Sequence, residues 1–95
     1  MVGDAVAITG LGLITGLGHD LETSWRGLLA GQNPVSLLPH LASQNLPSPF
    51  GVSLPEAAEE LMAKAVSPRQ KKQMTRSTAL ACTMADQALK DAGHL

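Results

Sequence analysis

The sequence predicts an α/β unit that does not close into a domain on its own. Three features carry that expectation. Ala5–Thr9 is short, apolar and partly β-branched, the pattern of one buried strand. Gly10, Gly12, Gly16 and Gly18 then punctuate a tight loop. A long Ala-rich helix near the end is apolar over much of its circumference, as interior helices are. One strand leaves its N–H and C=O groups without a neighbour, and a second has room only between Val35 and Val52.

The elements follow in order. Glycine admits positive φ and close backbone approach, so the loop after Thr9 reads as a folded connection rather than a linker. Asp20 is a good N-cap, and Leu21, Trp25, Leu28 and Leu29 form one apolar stripe behind it. Glu22 suits the first turn, and Gly31 stands where a helix ends. Gln32 to Leu54 holds Pro34, Pro39, Pro47 and Pro49, which forbid a long helix. A short helix is expected from Pro55 to about Ala65, with Leu61, Met62 and Ala65 on its buried side. Ser67 with Gln70 matches a capping box, and Pro68 fits the first helical position. The periodicity then predicts one continuous helix of about seven turns to Ala92, closed by Gly93. Ala81, Ala85, Ala88 and Ala92 make a stripe that another element can approach closely.

Composition narrows the function classes. A net charge of -1 argues against general affinity for nucleic acid or a membrane surface. The uncharged stretch from Ala5 to Gly18 is too short and too Gly-rich to span a bilayer. The start, Met1-Val-Gly-Asp4, has no basic n-region, so a secretory signal is not expected. A single cysteine, Cys82, excludes an internal disulfide framework and a multi-cysteine zinc site, and a cytoplasmic setting follows most simply. The 13 Ala and two aromatics, Trp25 and Phe50, give a thin core for a free-standing chain. Weak stability and a tendency to associate are expected of it.

No catalytic or metal-binding set stands out. His19, His40 and His94 lack metal spacing. The glycines read G-x-G-x-x-x-G, not a dinucleotide fingerprint, and the helix starts too late to cradle a phosphate. Cys82 is read as a packing residue, because no electropositive pocket or helix N-terminus activates it. Glu56, Glu59 and Glu60 are read as a solvated helix start. Arg69, Lys71, Lys72 and Arg76 are four of the seven basic residues, and they fall at the start of the last predicted helix, where the dipole disfavours cations. That placement suggests a docking site for an acidic partner.

Val6-Ala-Ile-Thr-Gly-Leu-Gly-Leu-Ile-Thr15, Leu17-Gly18, Glu22-Thr-Ser-Trp25 and Leu28-Leu-Ala-Gly31 resemble the start of the β-ketoacyl-acyl carrier protein synthases. Met74-Thr-Arg76 and Ala79 to Ala92, ending in Asp91-Ala-Gly93, resemble the next helix of the same enzymes. The resemblance implies a partial thiolase-like fold of one N-terminal strand, a Gly-rich loop and three helices. Residues 1–95 are then expected to open an N-terminal domain that continues beyond Leu95. It also implies decarboxylative Claisen condensation in fatty-acid or polyketide-type elongation, by a homodimer or heterodimer. No added cofactor is implied, since the phosphopantetheine arm arrives on acyl carrier protein. Cys82 does not align with the family's nucleophile, and no histidine here aligns with its catalytic pair. No catalytic role therefore transfers, and these 95 residues alone are not expected to be active. Arg69 and Lys72 match positions that contact the acidic carrier, with Lys71 and Arg76 adding to the patch. Gly16, Gln73, Thr75 and Ser77 depart from the common pattern, as do Asn33-Pro34-Val35 and the stretch from Leu37 to Val52. The pathway stays open, and so does the alternative of a non-catalytic companion or truncated subunit that docks the carrier.

Overall fold

The computed structural model describes residues 3–94. The helices are α1 (Leu21–Leu29), α2 (Pro39–Ala42), α3 (Glu56–Ala65), α4 (Pro68–Lys71) and α5 (Arg76–Asp91). Two short strands, β1 (Val35–Leu37) and β2 (Phe50–Val52), pair antiparallel in the register Val35 to Val52, Ser36 to Gly51 and Leu37 to Phe50. They occupy the two ends of the segment where a second strand had room, so that segment is a ribbon rather than irregular chain. Pro39 opens α2, while Pro34, Pro47 and Pro49 lie outside every element.

The helix starts follow their caps. The Asp20 carboxylate accepts the Thr23 amide at 2.8 Å, and the Thr23 hydroxyl accepts the Asp20 amide at 3.2 Å, a reciprocal box. Gly31 follows with φ +72°, a left-handed position that favours glycine. α3 begins one residue after Pro55, which is its N-cap. Ser67 and Gln70 form the expected capping box of α4.

Two expectations are corrected. Ala5–Thr9 forms no ladder; Val6 is 92% exposed and Ile8 82%. A strand exists only through its neighbour, and the described residues offer this one none. The long terminal helix is broken. α4 ends at Lys71, and the Thr75 side chain accepts the Thr78 amide at 3.2 Å to cap a new helix. A hydroxyl that can satisfy an orphan amide competes with continued helix, and here it wins. The stripe of Leu21, Trp25, Leu28 and Leu29 is exposed, while Ser24 and Gly27 are the buried residues of α1. Among the described residues no helix or strand covers that stripe enough to bury it.

The core is small. Met62 and Val66 meet Ala79, with Met74 and Leu80 packed against them, so it sits between α3 and α5. Ala58 is also buried, whereas Ala65, expected inside, is exposed. No large side chain is fully buried. The radius of gyration is 16.7 Å, against about 12 Å for a compact chain of this length. The accessible surface is 7191 Å², about 2,000 Å² more than a compact monomer of this mass exposes. Half-exposed Val35, Leu37, Phe50 and Val52 line one face of the ribbon and add to that surplus.

Candidate functional site

The glycine loop is a seam laid against α5. A Cβ on Gly12 would collide with the Met84 carbonyl oxygen, and one on Gly10 with the Ala88 carbonyl oxygen and the Ala92 backbone. Close approach is thus what these glycines supply; none of Gly10, Gly12, Gly16 and Gly18 takes a positive φ. Ala88 and Ala92 of the small-residue stripe meet this approach, whereas Ala81 and Ala85 stay exposed. Polar groups pin the seam. Leu11 N–H donates to Asp91 Oδ2 at 3.0 Å. Leu13 N–H donates to Gln87 Oε1 at 2.9 Å, and Gln87 Nε2 donates to the His19 carbonyl at 2.7 Å. Thr15 and Gly18 close a turn through reciprocal backbone bonds of 3.0 and 3.3 Å. The Thr15 and buried Ser24 hydroxyls, 2.8 Å apart, lock that turn to α1.

Gln87 and Ser24 were not singled out by the sequence reading. Their partners lie up to 74 and nine residues away, and nothing local marks a glutamine or serine for such a task. Among the described residues no cluster of three or more His, Cys, Asp or Glu could hold a metal ion. Cys82 is exposed on α5, not packed as expected.

The basic residues are divided by the helix break. Arg69 and Lys71 belong to α4, Lys72 is its C-cap, and Arg76 opens α5. The dipole argument therefore changes. α4 is a single turn with Arg69 as its second residue and Lys71 as its last, so only Arg76 stands at the N-terminus of a longer helix. Arg76 is also partnered. Its Nη1 donates to Glu59 Oε2 at 3.1 Å, and its Nη2 to Glu59 Oε1, a two-pronged pair between α5 and α3. Glu59 is thus more than a solvated helix-start residue. The Arg76 hydrogen bonds hold the Glu59 carboxyl below the usual carboxylate range, and the charges of Arg76 and Lys71 add to that. The same hydrogen bonds push the Arg76 guanidinium up.

Arg26 pairs with Glu22 at 3.8 Å and Lys90 with Asp86 at 2.9 Å. Arg69, Lys71 and Lys72 make no ion pair among the described residues, and all three are exposed. Lys71 and the Glu59–Arg76 pair line a cavity of about 170 Å³ floored by Met62, Val66, Met74 and Ala79. The arrangement sets exposed cationic side chains beside an apolar hollow.

The described residues form a mixed helix-and-strand unit with a glycine seam and a cationic edge. Residues 3–95 match the β-ketoacyl synthase N-terminal domain, and the chain belongs to that family. Membership implies a thiolase-like fold. The chain is 35% identical over 91 residues to a Schizosaccharomyces pombe protein named as a candidate mitochondrial 3-oxoacyl-acyl-carrier-protein synthase, an alignment covering 92% of this chain and 21% of that one. It is 36% identical over 45 residues to 3-oxoacyl-acyl-carrier-protein synthase 2 of Vibrio cholerae, covering 47% of this chain and 11% of the relative. The chain thus spans about a fifth of the length of the first of these relatives. No solved structure matches it significantly. No helix among the described residues is long and apolar enough to cross a membrane.

Proposed function

We propose that this chain is the opening section of a 3-oxoacyl-acyl carrier protein synthase that elongates acyl chains by decarboxylative Claisen condensation. The observation that supports it is the apolar segment Ala5–Thr9, exposed and without a ladder, leading into a glycine seam on α5. In a thiolase-like body this segment enters the central sheet, and its unmet backbone groups gain the neighbours they lack here. The exposed stripe of α1 and the face of the ribbon gain cover in the same way. On this reading the cysteine that takes the acyl group, and the two histidines that serve decarboxylation and the oxyanion, belong to later sections of the same protein. This section therefore scaffolds the chemistry rather than performs it.

Arg69, Lys71, Lys72 and Arg76 form the edge that receives the acidic acyl carrier protein, which brings the phosphopantetheine arm, so the protein needs no cofactor of its own. The working form is a dimer in the cytoplasm, although the S. pombe relative carries a mitochondrial name. The stand-alone docking module is the weaker reading, since four small or medium side chains are all the apolar core these residues bury.

The test is an assay of the product of the full reading frame for carrier-dependent CO₂ release from a malonyl thioester. Condensation is expected. A folded product that binds the carrier and releases no CO₂ would replace the enzyme by the companion subunit. Reversing Arg69 and Lys72 to Glu is expected to weaken carrier binding roughly tenfold, more at low salt than at high.

A further inference from the structure

We propose that Glu59 gates the basic edge: it occupies the Arg76 guanidinium, and an acidic partner seats fully only by displacing it. The inference rests on the carrier-docking reading above and names the regulation of that same site. Its basis is the cavity where Lys71, Glu59 and Arg76 meet. Glu59 engages Arg76 through both carboxylate oxygens, and this fork-on-fork geometry takes the end-on edge of the guanidinium, so a second carboxylate reaches that edge only by displacing Glu59. The pair is electrically near neutral, so the net positive charge of the edge comes from Arg69, Lys71 and Lys72. Lys71 lies on the rim of the same cavity and already attracts Glu59.

An incoming carboxylate has two calls to answer there. It is drawn by Lys71, and it competes with Glu59 for Arg76. Both partners of the internal pair are roughly half-exposed, so the exchange opens no core and uncovers no buried charge. The apolar floor of Met62, Val66, Met74 and Ala79 adds a chemical requirement. The matching segment carries an apolar side chain beside the acid. Once displaced, Glu59 repels the acidic surface that displaced it, which keeps binding weak and reversible. A docking edge that must release its partner after each cycle needs that property.

The test uses the full-length protein with Glu59→Gln, which keeps the shape and removes the charge. Binding of holo-acyl carrier protein is measured by calorimetry at low and high salt, with circular dichroism as the folding control. The variant should bind about two- to fivefold tighter, the range of one exposed ion pair, with a steeper salt dependence. Adding Arg76→Gln to it should remove the gain. Unchanged or weaker binding by Glu59→Gln, while Arg69→Glu with Lys72→Glu still weakens binding, overturns the gate and leaves the docking edge standing. If the double reversal also leaves binding unchanged, the docking edge falls and the gate falls with it.

Discussion

Along one flank of α5, Met84, Ala88 and Ala92 lie under bare glycine backbone, and the amides above them are tied to Gln87 and Asp91. Along the other, Ala79 and Leu80 pack with Met62, Val66 and Met74 in an apolar cluster. One contact is specified by what is missing, a row of Cβ atoms, and by a few directional polar groups. The other is specified by burial and is indifferent to small changes of angle. A helix can therefore hold two neighbours by unlike means, and the two contacts should fail differently.

The largest effect is expected on the apolar flank. Met62→Ala removes the longest side chain of a core with no fully buried large residue. It should cost about 2–3 kcal/mol in a denaturant titration. So thin a core has little in reserve, so the isolated 95-residue chain should lose its α3–α5 pairing altogether.

The seam should break at Gly12. Gly12→Ala sets a methyl against the Met84 carbonyl, a rigid backbone group inside α5. A cost of about 1–3 kcal/mol is expected, with faster hydrogen exchange at the Leu11 and Leu13 amides and little change near Met62. Gly31→Ala is the control that separates space from backbone angle. Gly31 has φ +72° and nothing within 4 Å, so only the dihedral cost of about 1 kcal/mol applies. Equal losses at both positions would show that the seam is not closely packed.

The same contrast explains what the sequence could reveal. Caps are local, so Asp20 with Thr23, Ser67 with Gln70 and Gly31 after α1 are legible from a few adjacent residues. The close approach at Gly10 and Gly12 was legible in kind, since glycine spacing next to an Ala stripe announces it, but not its polar ties. Leu13 to Gln87 spans 74 residues, and Glu59 to Arg76 spans 17. The break before Arg76 was hidden because the apolar period continues through it, and only the Thr75 hydroxyl marks the new start. The α1 stripe is apolar in the sequence and exposed in the structure. Amphipathicity states what a face needs, not whether these residues supply it.

Asp20 gives the smallest effect, and it ties the seam to α1 through pH. Its carboxylate accepts both the Thr23 hydroxyl, at 2.7 Å, and the Thr23 amide. Those hydrogen bonds hold its pKa below the ordinary carboxylate value, with smaller help from His19 and Arg26. A carboxyl whose pKa is lower in the folded state favours folding most when ionised. Its contribution is therefore complete above the ordinary range and is lost as pH falls through the depressed folded value. Asp20→Ala should cost about 1 kcal/mol near neutral pH, the usual worth of such a cap, and less in acid. Asp20→Asn keeps a capping oxygen without a titrating group, so its loss at neutral pH should be smaller and its stability flatter between neutral and strongly acidic pH. Parallel pH profiles for the parent and the Asn variant would show that Thr23 anchors the entry to α1 without the charge. Gly18, whose carbonyl accepts the Ser24 hydroxyl and the Thr15 amide, would then keep its position at the end of the seam whatever the charge on Asp20.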